Sequence, residues 1–211
     1  MVKVYVDDRE VSLDRYGVTE DARLVELLDR VNEVHFEEDR GVNRVGFKFV
    51  NEETEKKWQG KEIWDIPLKD LSEITLYTAT TAQIIEELLA EVDEKKIEEL
   101  AVDFVEKFEK GEKWGESFGD FVNLLERVMR PVGMFVNWKK IKSGGFDSEE
   151  FVKKEIEFKE FTENIMKAFE SGDYNLVKEI VANEWQIVAE LVKVLRKEIE
   201  KVEKGEDEKG H

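Results

Sequence analysis

Cysteine is absent from this 211-residue chain. Disulfides, thiolate nucleophiles and Cys-ligated zinc or iron–sulfur clusters are excluded with it. Histidine is almost as scarce: His35 is internal and His211 is terminal, so most of the chain lacks the usual imidazole base or metal ligand. Proline is confined to Pro67 and Pro131, which leaves long helices free to run. No apolar window approaches the ~20 residues that span a bilayer, and no basic start followed by an apolar stretch reads as a signal peptide. These absences point to a cytoplasmic protein with no metal, no cofactor and no membrane partner. Cations are also outnumbered, with 33 Lys and Arg against 51 Asp and Glu, for a net charge of −18. Such a field repels nucleic acid and anionic lipid.

What the chain does hold is charge, at 40 % of residues, mostly Lys, Glu and Asp, with few amides. That profile leans towards a thermophile, because ion-pair networks survive heat better than labile side chains do. Its hydrophobic rhythm changes once, near Thr80. Before that point apolar residues alternate, as in Val2-Lys3-Val4-Tyr5-Val6 and Ile74-Thr75-Leu76-Tyr77; after it they recur every three or four residues. Alternation suits a half-buried strand and the longer period an amphipathic helix. The expected class is therefore α+β, with a domain over 1–80, a helical domain over 81–203 and a disordered acidic tail over 204–211.

Within the first domain, Asp7-Asp8-Arg9 supplies a turn between two strands. Thr19 is the expected N-cap of a helix whose stripe is Leu24, Val25, Leu27, Leu28 and Val31. Val45, Phe47 and Phe49 alternate as a strand, and Ile63, Trp64 and Ile66 form a shorter extended segment. One helical turn at Pro67–Leu71 precedes the last strand, Ile74 to Thr78. This order of elements resembles the ubiquitin-like β-grasp fold, in which a mixed sheet wraps one helix. The likeness implies nothing about conjugation, because the chain continues into a helix at Thr80-Thr81-Ala82 where ubiquitin ends in Gly-Gly.

Four helical runs are expected after Thr80, forming an antiparallel four-helix bundle. The first runs from Ile84 to Phe108 and the second from Phe118 to Val136, with a kink expected about one turn before Pro131, where a carbonyl loses its partner. Ser143-Gly144-Gly145 breaks the chain, and Asp147 or Ser148 caps the third run. Ser171-Gly172-Asp173 then separates the third from the fourth, Leu176 to Val202. Together with the β-grasp-like start, Asp70-Leu71-Ser72-Glu73-Ile74 and Ser171-Gly172-Asp173-Tyr174 resemble a group of uncharacterised bacterial proteins with a β-grasp N-terminal domain and a helical C-terminal one. The late helix-turn-helix also resembles helical export chaperones of the flagellar type.

Gly115-Glu116-Ser117-Phe118-Gly119 matches the G-x-S-x-G of a nucleophile elbow. That elbow needs a preceding strand and a later histidine base. Here Phe104 to Lys113 reads as helix and only His211 follows, so the segment reads as a helix start. His35 precedes Glu37, Glu38 and Asp39, a solvated turn at a helix end rather than a metal site. Adjacent carboxylates such as Glu86-Glu87 and Glu98-Glu99 read as outer faces, with i+4 lysine partners as in Glu91–Lys95 and Glu106–Lys110.

One basic island stands out. Arg127, Arg130, Lys139, Lys140 and Lys142 surround Trp138. An aromatic ring among cations can bind an acidic partner or a nucleic-acid strand; packing at a bundle end is the competing reading. Trp58 and Trp64 are either exposed anchors or plain core. The class best supported is a non-enzymatic intracellular protein–protein interaction module, adaptor or chaperone-like, whose partner is another protein or a second copy of itself. Trp138, Lys139, Lys140, Lys142 and Arg130 are its candidate partner-binding residues. The alternative is an enzyme with a carboxylate-based site between the two domains.

Overall fold

In a computed structural model, residues 2–90, 92–143 and 148–204 are described, apart from the side chains of Glu37, Lys142, Ser143 and Glu203. The expected Gly144-Gly145 break, the Asp147 cap, Glu91 of the pair with Lys95 and the tail beyond Lys204 lie outside them. The protein is α+β, with a four-stranded mixed sheet among the described residues followed by helices. It divides into two compact units, Met1–Ile84 and Ile85–His211.

In the first unit, β1 (Lys3–Val6) and β2 (Arg9–Val11) form a hairpin with Val6 opposite Arg9. Asp7 and Asp8 close it with φ of 48° and 64°. Two positive-φ residues make a type I′ turn, whose twist suits the flanking strands, and aspartate tolerates that region better than most side chains. β3 (Arg40–Phe49) runs antiparallel to β4 (Leu71–Thr80), and β4 runs parallel to β1. The order is β2-β1-β4-β3, so β3 is an edge strand.

One sheet face carries Val4, Val6, Ile74 and Leu76, all buried against Leu24, Leu27, Leu28 and Val31 of α1 (Leu24–His35). Each such side chain contributes about 1.5–3 kcal/mol by leaving water. The start of α1 departs from the Thr19 cap. Residues 20–24 are instead drawn into backbone pairing with 66–69, through Leu24 N–H to Ile66 O (2.9 Å), Leu68 N–H to Ala22 O (2.8 Å) and Lys69 N–H to Glu20 O (2.8 Å). Distant partners for these backbone groups outweighed the local cap, so the helix opens after Arg23.

Two further differences lie between β3 and β4. A short helix, α2 (Glu52–Trp58), follows β3, capped by Asn51, whose side chain accepts from Thr54 N–H at 2.9 Å. It buries no residue fully, so hydrophobic period gave no sign of it. Ile63–Asp65 is a 3-10 turn rather than an extended segment; only Ile66 of that stretch enters the core. A second 3-10 turn, Leu68–Asp70, stands where one helical turn was expected.

The second unit is helical, and two expected runs are each divided. The first becomes α3 (Thr81–Leu89) and α4 (Glu94–Glu109), separated where Asp93 caps α4 by accepting from Lys96 N–H at 2.7 Å. Arg196 donates from Nη2 to Leu89 O and Val92 O, both at 2.8 Å, and satisfies carbonyls freed at that break. The last becomes α7 (Tyr174–Glu184) and α8 (Gln186–Glu203), which meet at Trp185. Between them in sequence lie α5 (Gly115–Ser143), with Pro131 inside it, and α6 (Glu149–Glu170), capped by Ser148. α4 packs on α5, α7 and α8, and α6 on α7 and α8. The core is aromatic: Phe121 meets Phe161 edge-on, Phe135 meets Phe151, and Phe118 stacks on Phe169.

Candidate functional site

The basic island on α5 is spread around the helix. At about 100° per residue, Arg130 and Lys139 fall on opposite sides. Arg127, Arg130 and Lys140 are exposed, whereas Lys139 retains only 7 % of its surface and lies 5.9 Å from the centre of the Trp138 ring. Trp138 is half-buried and leans on Phe135, 5.9 Å between ring centres. The Lys142 side chain lies outside the described residues.

Ser117 sits in the first turn of α5, buried, where Lys107 Nζ donates to its Oγ at 2.7 Å and to Asp103 Oδ2 at 2.8 Å. Lys107 and then Ser117, by hydrogen bonding, hold the Asp103 carboxyl below the usual range. The serine thus helps tie α4 to α5, and its environment is a cation rather than an imidazole. His35 ends α1, with Nδ1 3.1 Å from Glu38 Oε2. No group of three or more potential metal ligands occurs among the described residues.

A more structured surface is found in the first unit, where α2 and the 3-10 turn at Ile63–Asp65 follow edge strand β3. They enclose a groove of about 540 Å³, a size typical of binding pockets. Its apolar lining comes from Phe47, Phe49, Trp58, Ile63 and Ile66. Phe47 and Phe49 face the groove side of β3 because they alternate with exposed Gly46 and Lys48, and their rings meet edge-on at 5.5 Å.

Trp58 is pinned in this groove. Its Nε1 donates to Asp70 Oδ2 at 2.8 Å, and Lys57 Nζ donates to the same oxygen at 3.1 Å. The Trp58 hydrogen bond, with Lys57 and Lys69 nearby, holds the Asp70 carboxyl below the ordinary range against the opposing effect of burial. The ammonium groups of Lys57 and Lys61 lie 5.4 and 5.2 Å from the Trp58 ring centre, a cation–π arrangement. Ile63 is 37 % exposed and neighbouring Trp64 45 %. A fixed indole, flanking ammoniums and unspent apolar area suit contact with a partner; the lining holds no serine, cysteine or histidine.

Sequence reading named Trp58 and Trp64 without deciding between anchor and core. It missed α2, although Asn51, the acids Glu52, Glu53 and Glu55, and the bases Lys56 and Lys57 spell a capped helix with its charges matched to the dipole. The Trp58–Asp70 bond had no local signal. Comparison with protein-family profiles, characterised proteins and solved structures finds no match to this chain.

Proposed function

We propose that this chain is a non-enzymatic protein–protein interaction module whose docking site is the Trp58 groove and the neighbouring edge of β3. The carrying observation is the adjacency of two features. An edge strand has no strand partner on its far side among the described residues, and its groove-side residues Phe47 and Phe49 continue into the pinned Trp58. An extended segment pairing along Arg44–Lys48 would place alternate side chains on that aromatic floor. Glu52 and Glu55 line the groove at the start of α2 and Lys56 and Lys61 line it beyond, with Lys57 and Lys61 over the Trp58 ring, so partner carboxylates are favoured at the Trp58 end. The occupant is therefore an extended segment of another protein, apolar and acidic in alternation.

The same reading takes the first unit as a β-grasp domain, supported by a helix between two hairpin-like strand pairs and a last strand lying centrally and parallel to the first. It takes α4, α5, α6 and the α7–α8 pair as the four rods of an antiparallel bundle, supported by their mutual packing. The likeness to a bacterial family of that domain composition and an intracellular adaptor role belong to this proposal.

Titration of the full chain with blocked ten-residue peptides that alternate glutamate with Leu, Phe or Trp tests it. Saturable binding is expected, and Ile63→Asp is expected to weaken it by roughly tenfold or more, since a charge replaces an apolar contact at the rim. Because Ile63 lies outside the core, the thermal midpoint should stay unchanged. Failure of every peptide to bind, or equal binding by Ile63→Asp, overturns the proposal. Preferential self-association would replace the foreign segment with a second copy, and turnover of a substrate by the purified chain would favour the carboxylate enzyme.

A further inference from the structure

A second concavity, of about 340 Å³, opens where the β1–β2 turn, the 3-10 turn at Leu13–Tyr16 and the end of α1 come together. Arg9, Arg15 and Arg40 line it, with Asp7, Glu38, Tyr16 and His35. Three guanidiniums around one small cavity are costly through mutual repulsion unless negative charge lies among them. The chain as a whole carries −18, so this local excess runs against its general field.

Both acids of the lining are already engaged, Asp7 by Arg40 and Thr78 and Glu38 by His35, which leaves Arg9 and Arg15 uncompensated. Asp7 Oδ1 accepts from Thr78 N–H at 2.8 Å, and Asp7 Oδ2 accepts from the Thr78 hydroxyl at 2.7 Å and from Arg40 Nη2 at 3.3 Å. Arg40 is anchored further by donating to Thr78 Oγ1 and Thr78 O, each at 2.9 Å. Arg9 and Arg15 make no ion pair among the described residues, and Arg15 rests against the Tyr16 ring at 5.9 Å. His35 Nδ1 is engaged by Glu38, while His35 Nε2 is buried without any hydrogen-bond partner.

Because Nδ1 is engaged by the Glu38 carboxylate, Nε2 is the ring nitrogen left to bond a ligand, as acceptor or donor according to the tautomer. A buried polar nitrogen with no partner is destabilising until something supplies one. The needs of the pocket are thus an anion for two guanidinium forks and a hydroxyl for one imidazole nitrogen. Guanidinium geometry matches phosphate oxygens bidentately.

We propose that this pocket binds a small, hydroxyl-bearing phosphate monoester. Arg9 and Arg15 take the phosphate, Tyr16 holds Arg15 in place, and His35 Nε2 hydrogen-bonds a ligand hydroxyl, which serves as donor or acceptor. Arg40 and Asp7 build the wall. The cavity has room for a few heavy atoms beyond the phosphate and offers little apolar wall for a longer chain. This site shares no residue with the Trp58 groove and stands or falls apart from it.

Calorimetric and NMR titration of the full chain with glycerol phosphate, methyl phosphate, inorganic sulfate and malonate tests the assignment. Glycerol phosphate is expected to bind saturably and more tightly than methyl phosphate, and to shift the His35 ring resonances, because only it carries the hydroxyl. Arg9→Gln and Arg15→Gln should each weaken it by roughly tenfold or more, the loss of one charge-assisted pair, with the ligand-free thermal midpoint unchanged. Absence of saturable binding, or equal binding by the doubly substituted chain, overturns the proposal. Tighter binding of malonate, or of a phosphoserine peptide, would remove the small phosphate monoester as the ligand.

Discussion

The two units bury polar side chains in different ways. In the first, Thr78 is satisfied by Asp7 and Arg40, which lie 71 and 38 residues away in sequence. In the second, the buried Ser117 and Glu198 are met by lysines on the same or the adjoining helix, Lys107 ten residues before and Lys201 three residues after. A sheet whose last strand pairs with its first makes its polar network out of distant residues, and helices make theirs out of neighbours. Both concavities with unspent binding groups lie in the unit of distant contacts.

The largest expected effects come from the cores. Phe121→Ala in the helical unit should cost about 3–5 kcal/mol, and Leu27→Ala in the sheet unit about 2–5 kcal/mol, because each leaves a cavity in a fully buried site. Urea denaturation followed by circular dichroism reads both; a loss below ~1 kcal/mol in either would show that the site is not core.

The contrast between distant and local networks is sharpened by a smaller pair of substitutions. Thr78→Val strips the hydroxyl donor from Asp7 while the backbone N–H of residue 78 stays, and it leaves Arg40 without its Oγ1 acceptor, so a cost of about 1–3 kcal/mol is expected. Ser117→Ala removes a hydroxyl shared by Lys107 and Asp103, which keep their bond to each other, and about 1 kcal/mol or less is expected. Equal costs would break the comparison.

Acid titration tests the same network. Burial pushes the Asp7 carboxyl up, but the Thr78 amide and hydroxyl together with Arg40 outweigh it and hold the group below the ordinary aspartate value. A carboxylate depressed in the folded state adds stability that is present above its unfolded pKa and lost as pH falls through the folded one. The urea midpoint of the parent chain should therefore approach that of Asp7→Asn on acidification, having exceeded it near neutrality. The gap is expected to be modest, since the side chain is partly open to solvent. A gap that widens in acid would contradict the assignment.

The smallest effects belong to helix ends and outer faces. Asp173→Ala should cost about 1 kcal/mol by freeing the Leu176 amide at the start of α7. Lys110→Ala, which breaks an exposed i,i+4 pair with Glu106, should move the urea midpoint least of all.

Legibility in the sequence followed the same divide between local and distant. The strands, α1, the capped starts of α6 and α7 and the helix opening at Gly115 were readable because period and capping act within a few residues. The division of the helical runs at Asp93 and Trp185 was not, since apolar spacing continued across both breaks. The pairing of residues 20–24 with 66–69 overrode a well-formed Thr19 cap that nothing nearby opposed. Of the candidate groove, Phe47, Phe49, Trp58 and Trp64 were visible as residue types; their convergence depends on α2, which has no apolar stripe, and on Asp70 reaching Trp58. Arg9, Arg15 and Arg40 gave no motif, because the turn and the strand that gather them are joined through the sheet.

Amide hydrogen exchange over Arg44–Lys48, with and without a bound alternating apolar–acidic peptide, tests most directly whether the chain works by presenting an edge and a groove. Protection of these amides on binding, together with a shift of the Trp58 indole N–H, is the expected result. Saturable binding that leaves both unchanged would place the partner elsewhere and contradict the account.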